Sequence, residues 1–87
     1  MKLEKRIKVI SEQGLHARPA AMFVEVANRF VSSIKIAKGE LVVDGKSILN
    51  ILMLGVECSE EITLQIEGED AQEAMGVLED IITRKDV

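Results

Sequence analysis

The chain has 87 residues, 47% of them hydrophobic but only 2% aromatic, and 15 acidic against 11 basic side chains leave it a net charge of −4. That length fits one domain, expected over residues 1–87, whose core must be built from Ile, Val, Leu, Met and Ala around Phe23 and Phe30. The acidic balance argues against a general nucleic-acid binder, whose affinity rests on neutralising phosphates with clustered cations.

From Leu3 to Ile10 the apolar residues Leu3, Ile7 and Val9 share a parity and Glu4, Arg6 and Lys8 take the other, the pattern of a half-buried strand. Ser11-Glu12-Gln13-Gly14 is a loop, and from about Ala17 to Phe30 the spacing of Ala20, Phe23, Val24 and Ala27 predicts one face of a helix. Ser33 to Ala37 reads as a strand, Lys38-Gly39 as a turn, Glu40 to Val43 as a short strand and Asp44-Gly45 as a second turn.

Ser47 and Gly55 stand where the caps of a helix over Ile48–Leu54 belong. At about 100° per residue, Ile48, Leu49 and Leu52 fall on one arc and Ile51 and Leu54 on the next. A two-turn helix apolar on nearly every side is either wedged inside or shows a patch at the surface.

Cys58 is alone, so no internal disulfide forms and no metal cluster is implied. Glu60–Glu67 is the cleanest strand, with Ile62, Leu64 and Ile66 alternating with polar residues. Asp70 and Glu73 have capping-box spacing before a helix whose buried stripe is Ala74, Val77, Leu78, Ile81 and Ile82, with Arg84 and Lys85 suited to its carboxyl end. The element order is β-α-β-β-α-β-α, most economically packed with three helices on one face of a sheet. No apolar run approaches the ~18 residues of a membrane span, and the amino end alternates in charge, unlike a signal peptide. A soluble cytoplasmic protein with no membrane contact is expected.

The chemistry concentrates in Gly14-Leu15-His16-Ala17-Arg18-Pro19-Ala20-Ala21, which holds the only histidine and the only proline. Gly14 permits a tight turn and Pro19 belongs in a first helical turn, so His16 is expected at or just before the helix start. A helix amino end carries unpaired amides and partial positive charge, which suits an anion. A neutral imidazole there can attack phosphorus. The Arg18 guanidinium and the amides near Ala17 and Arg18 would then hold the phosphoryl group, and no metal, cofactor or base is asked of this chain. A histidine that merely caps the helix or fills the loop accounts for the same residue.

That stretch, continued by Phe23-Val24, resembles the active-site signature of the HPr family, the histidine-containing phosphocarriers of the bacterial phosphoenolpyruvate-dependent sugar phosphotransferase system. Lys46-Ser47-Ile48 through Leu54-Gly55 resembles that family's regulatory-serine region, although Asn50 and Leu49 stand where regulated members carry glycine and methionine. The resemblance spans the chain. It implies an α+β open-faced β-sandwich, a four-stranded antiparallel sheet with three helices on one face.

It further implies that His16 accepts a phosphoryl group on Nδ1 from phosphorylated enzyme I and passes it to EIIA components of sugar permeases, with Arg18 steadying it. By the same likeness Ser47 is a phosphorylation site for HPr kinase/phosphorylase, where a phosphoserine adds roughly −1.5 to −2 charges. Ala21, Ile48, Leu49 and Leu52 form an exposed docking patch, and a catabolite-control transcription factor is a further partner. Such a relay is expected to be monomeric. Two alternatives are a nitrogen-branch regulatory carrier of the same fold and a non-catalytic corepressor acting through Ser47 and the Ile48 patch.

Overall fold

Period-two alternation in each strand lets one parity of side chains face helices while the other meets water. A computed structural model describes residues 1–85. Its elements are β1 (Lys2–Lys8), α1 (Ala17–Ala27), β2 (Ser33–Lys38), β3 (Leu41–Asp44), α2 (Ile48–Met53), β4 (Glu61–Glu67) and α3 (Ala71–Ile82). The strands form one sheet in the order β1-β4-β2-β3, every neighbouring pair antiparallel. This is the α+β open-faced β-sandwich, β-α-β-β-α-β-α, that the sequence led us to expect.

Register aligns the apolar parities into rows. Leu3 opposes Ile66, which opposes Ile34, while Ile36 lies between Leu64 and Val43. Phe23 of α1, Ile51 of α2 and Leu78 of α3 close over these rows. Full burial of each large aliphatic chain is worth about 1.5–3 kcal/mol, so the core rests on β4 and β2, whose Ile34, Ile36, Leu64 and Ile66 are all essentially inaccessible. The open face instead pairs opposite charges across strands, Lys2 with Glu67 and Lys8 with Glu61.

Several boundaries shift. α1 stops at Ala27 rather than Phe30, because Asn28 turns its side-chain amide back onto the Val24 carbonyl at 2.8 Å and across to Lys46. β3 begins one residue later than expected, since Gly39 at φ 61° and Glu40 make the turn. On α3, Val77 is exposed rather than buried. It falls about 40° outside the arc of Ala71, Ala74, Met75, Leu78, Ile81 and Ile82.

The capping box at Asp70 is not made. Asp70 precedes α3, yet its carboxylate makes no cap bond and instead accepts from the amides of Val31 and Ser32, at 2.9 and 3.0 Å, and from the Ser32 hydroxyl. It thereby pins the α1–β2 loop to the start of α3. Chiefly the Ser32 hydroxyl, helped by the two amides against the opposing push of desolvation, holds the Asp70 carboxyl below its ordinary value.

A lowered folded-state value means stability that is present above the ordinary carboxyl range and is lost as pH falls through the folded value. Asp70→Asn is therefore expected to unfold at lower urea concentration at neutral pH. The gap from wild type should shrink in urea titrations taken down toward about pH 2; a constant gap would show that the carboxylate's charge is irrelevant.

Candidate functional site

The loop into α1 is built around a close approach of backbone to backbone. Gly14 takes φ 67°, and its amide donates to the Ser11 carbonyl at 2.9 Å. The Leu15 amide donates to the Val56 carbonyl at 3.0 Å, and Leu15 is buried beneath the loop. A Cβ on residue 14 would lie 2.1 Å from that same Val56 oxygen.

His16 follows as the N-cap of α1 in extended conformation, φ −79° and ψ −169°, and its carbonyl accepts the first helical bond from Ala20 at 3.1 Å. Its imidazole makes no side-chain cap bond to the helix. Pro19, at the third helical position, is buried and has no amide to leave unpaired. Ala17 and Arg18 donate to no carbonyl within the helix, as every first turn requires.

Arg18 is exposed and makes no ion pair with another described residue. It borders, with Ser11, Glu12, His16 and Lys85, an open pocket of about 570 Å³. A half-buried imidazole, an exposed guanidinium and a helix amino end thus face one solvent-accessible space. Among the described residues no cluster of His, Cys, Asp and Glu could hold a metal ion.

Ser47 is the N-cap of α2, its hydroxyl accepting from the Asn50 amide at 3.4 Å and its carbonyl from the Ile51 amide at 3.1 Å. The local role read from the sequence is therefore present. Ser47→Ala is expected to lower stability by about 1 kcal/mol in urea unfolding; an unchanged midpoint would mean the long cap bond contributes nothing. Gly55, at φ 61°, ends the helix in the left-handed position read for it.

α2 buries only Ile51, with Leu54 just beyond it, and leaves Ile48, Leu49, Leu52 and Met53 at the surface, Leu49 at 70% and Met53 at 74% exposure. Ala21 is also exposed on α1, which packs against α2. Met53, four residues after Leu49, lies on the same exposed face.

The start of α1 is joined to the carboxyl end of α2 by the segment that follows that helix. Lys38 Nζ donates to the Leu54 and Gly55 carbonyls, at 3.3 and 2.9 Å, and pairs with Glu60 at 3.0 Å. Glu60 accepts from the Glu57 amide at 2.7 Å, which with Lys38 holds its carboxyl below the ordinary value. Val56, the acceptor for Leu15, lies inside this clamp.

Arg84 and Lys85 do not stand in the last turn of α3, which ends at Ile82. Arg84 reaches back to Asp80 at 3.1 Å, and Lys85 reaches the His16 pocket, a placement for which the sequence carried no local signal.

Fold and site together define a histidine-bearing open-faced β-sandwich with its histidine at a helix start. The family described as "PTS HPr component phosphorylation site" matches residues 3–84. The phosphocarrier protein HPr of Haloferax volcanii is 40% identical over 83 residues, covering 93% of each chain. The HPr-like protein Crh of Halalkalibacterium halodurans is 47% identical over 76 residues, covering 87% of this chain and 90% of that one.

Among solved structures, the phosphocarrier protein HPr from Bacillus anthracis superposes with a TM-score of 0.90 at 41% identity, covering 94% of this chain and 98% of the other. Crh from Bacillus subtilis, described as a swapped dimer, gives 0.77 at 38% identity over 98% of both chains. The chain belongs to the HPr family of phosphocarrier proteins.

Proposed function

We propose that this chain is a phosphoryl relay of the sugar phosphotransferase system, taking its phosphoryl group on His16 from phosphorylated enzyme I and passing it to EIIA components. The observation that carries the reading is His16 itself: an imidazole at the start of α1, facing a pocket it shares with Arg18.

In the accepting step the lone pair of a neutral Nδ1 forms the N–P bond. The bond from phosphorus to the donor breaks with its electron pair left on the donor, and the imidazole proton stays on Nε2. Arg18 and the amides at the start of α1 neutralise the phosphoryl oxygens before and after attack. In the delivering step the N–P bond breaks and its electron pair returns to Nδ1. The chain forms a transient phosphohistidine and needs no cofactor or metal of its own. Ala21, Ile48, Leu49 and Leu52, joined by Met53, serve as the apolar surface on which successive partners dock. We place the protein in the cytoplasm as a monomeric domain over residues 1–87.

Incubation with phosphoenolpyruvate, magnesium and enzyme I should put an acid-labile, base-stable phosphate on the chain; a wild type that fails to label overturns the relay.

A second role, as a corepressor working through Ser47 and the Ile48 patch, is favoured by the likeness to proteins named Crh. The presence of His16 speaks against it as the only role. With ATP and HPr kinase/phosphorylase an acid-stable phosphate should appear and be lost in Ser47→Ala, and no labelling by a competent kinase would refute the regulatory serine. A docked catabolite-control transcription factor belongs to this second role.

A further inference from the structure

The His16 pocket takes one wall from the far end of the chain. α1 packs against α3, and after Thr83 ends α3 the chain brings Lys85 to the pocket bordered by Ser11, Glu12 and Arg18. The two neighbouring cations there are used differently. Arg84 is held by Asp80. Lys85 is exposed and makes no ion pair with any described residue.

Charge balance says what an exposed ammonium does at this place. A phosphoryl group brings about −1.5 to −2 charges; Arg18 offsets one, and a helix start contributes only about half of one. Glu12, the one carboxylate among the described residues lining the pocket, opposes both. A deficit of positive charge remains in a chain whose net charge is already −4.

We propose that Lys85 is the second cationic ligand of the phosphoryl group on His16, closing on its oxygens from the α3 side while Arg18 holds them from α1. This deepens the relay reading and rests on it. Arg18 offers a planar fork of fixed direction, whereas the lysine ammonium is a point charge on a flexible stem that can follow the group as it arrives and leaves.

A competition for phosphoryl groups tests this directly. Wild type labelled with ¹⁵N is mixed with an equal amount of unlabelled Lys85→Gln, catalytic enzyme I and less than one equivalent of phosphoenolpyruvate. Intact mass at equilibrium then gives the share of phosphate on each. Wild type should hold the larger share by about two- to five-fold, and the bias should fall toward one at ~1 M salt, where the screening length is about 3 Å.

Lys85→Arg should compete evenly with wild type. So should Arg84→Gln, which removes the same charge from the same end of the chain. An even share for Lys85→Gln overturns the proposal, as does an equal bias for Arg84→Gln, which would reduce the effect to net charge. A change in transfer rate with an unchanged equilibrium share would also overturn it, making Lys85 a contact for the partner. Absence of phosphate on wild type is a different result, for it removes the relay reading itself.

Discussion

His16→Ala leaves a folded protein whose labelling by phosphoenolpyruvate and enzyme I falls to background. The expected loss is complete because the described residues lining the pocket include no second imidazole to take the phosphoryl group. The fold should survive. The imidazole makes no cap bond, is half-buried, and starts a helix through its backbone carbonyl, which alanine also has. A stability cost of no more than about 1 kcal/mol is expected in urea unfolding. If His16→Ala labels as well as wild type, the phosphate resides elsewhere and the mechanism above is wrong.

Gly14→Ala has the larger structural effect. Three glycines share nearly the same backbone angle, Gly14 at φ 67° and Gly39 and Gly55 at φ 61°. Any side chain there costs roughly 1–2 kcal/mol in the left-handed region. A Cβ at Gly39 or Gly55 meets nothing within 4 Å, but at Gly14 it collides with the Val56 carbonyl at 2.1 Å and the Glu57 Cα at 2.7 Å.

Backbone held by the Lys38 and Glu60 clamp does not move aside as a flexible side chain would. The loop must lift instead, losing the Leu15–Val56 bond, worth a further 0.5–1.5 kcal/mol or so. The total is about 1.5–3.5 kcal/mol, which for a chain of this size lowers the thermal midpoint by roughly 6–28 °C.

The functional consequence is separable. At a temperature where Gly14→Ala is still folded, its initial rate of labelling should drop, because the loop that lifts carries His16. Gly39→Ala should label normally at a comparable fraction of its own stability. Equal stability losses for the two variants would show that the approach to Val56 carries no weight.

The clamp ties the start of α1 to the carboxyl end of α2. Lys38 fixes the carboxyl end of α2, and the residue just past it fixes the loop into α1. The loop into α1 and the carboxyl end of α2 are therefore held by one segment.

Much of this protein is local in origin and was legible in its sequence. Alternating apolar parity marks the strands, and the spacing of Ala20, Phe23 and Ala27 marks α1. Ser47 and Gly55 bracket α2, and the run from Gly14 to Ala21 places a histidine at a helix start. Each of these depends on residues within a turn or two of one another, where backbone preference and side-chain period act without knowledge of the rest.

Tertiary structure decided what depends on distant chain segments meeting. Asp70 has the spacing of a capping box but bonds to Val31 and Ser32, because three donors converge there once α1 has turned into β2. Val77 looks like a stripe residue and is exposed, since the width of the buried arc is set by α1 and the sheet rather than by α3. Lys85 reads as a residue for a helix end and instead lines the pocket that His16 borders. Helix caps and strand parity are short-range and survive in the sequence. A pocket lined by residues nearly seventy positions apart exists only after the sheet has ordered its strands and α1 has packed on α3.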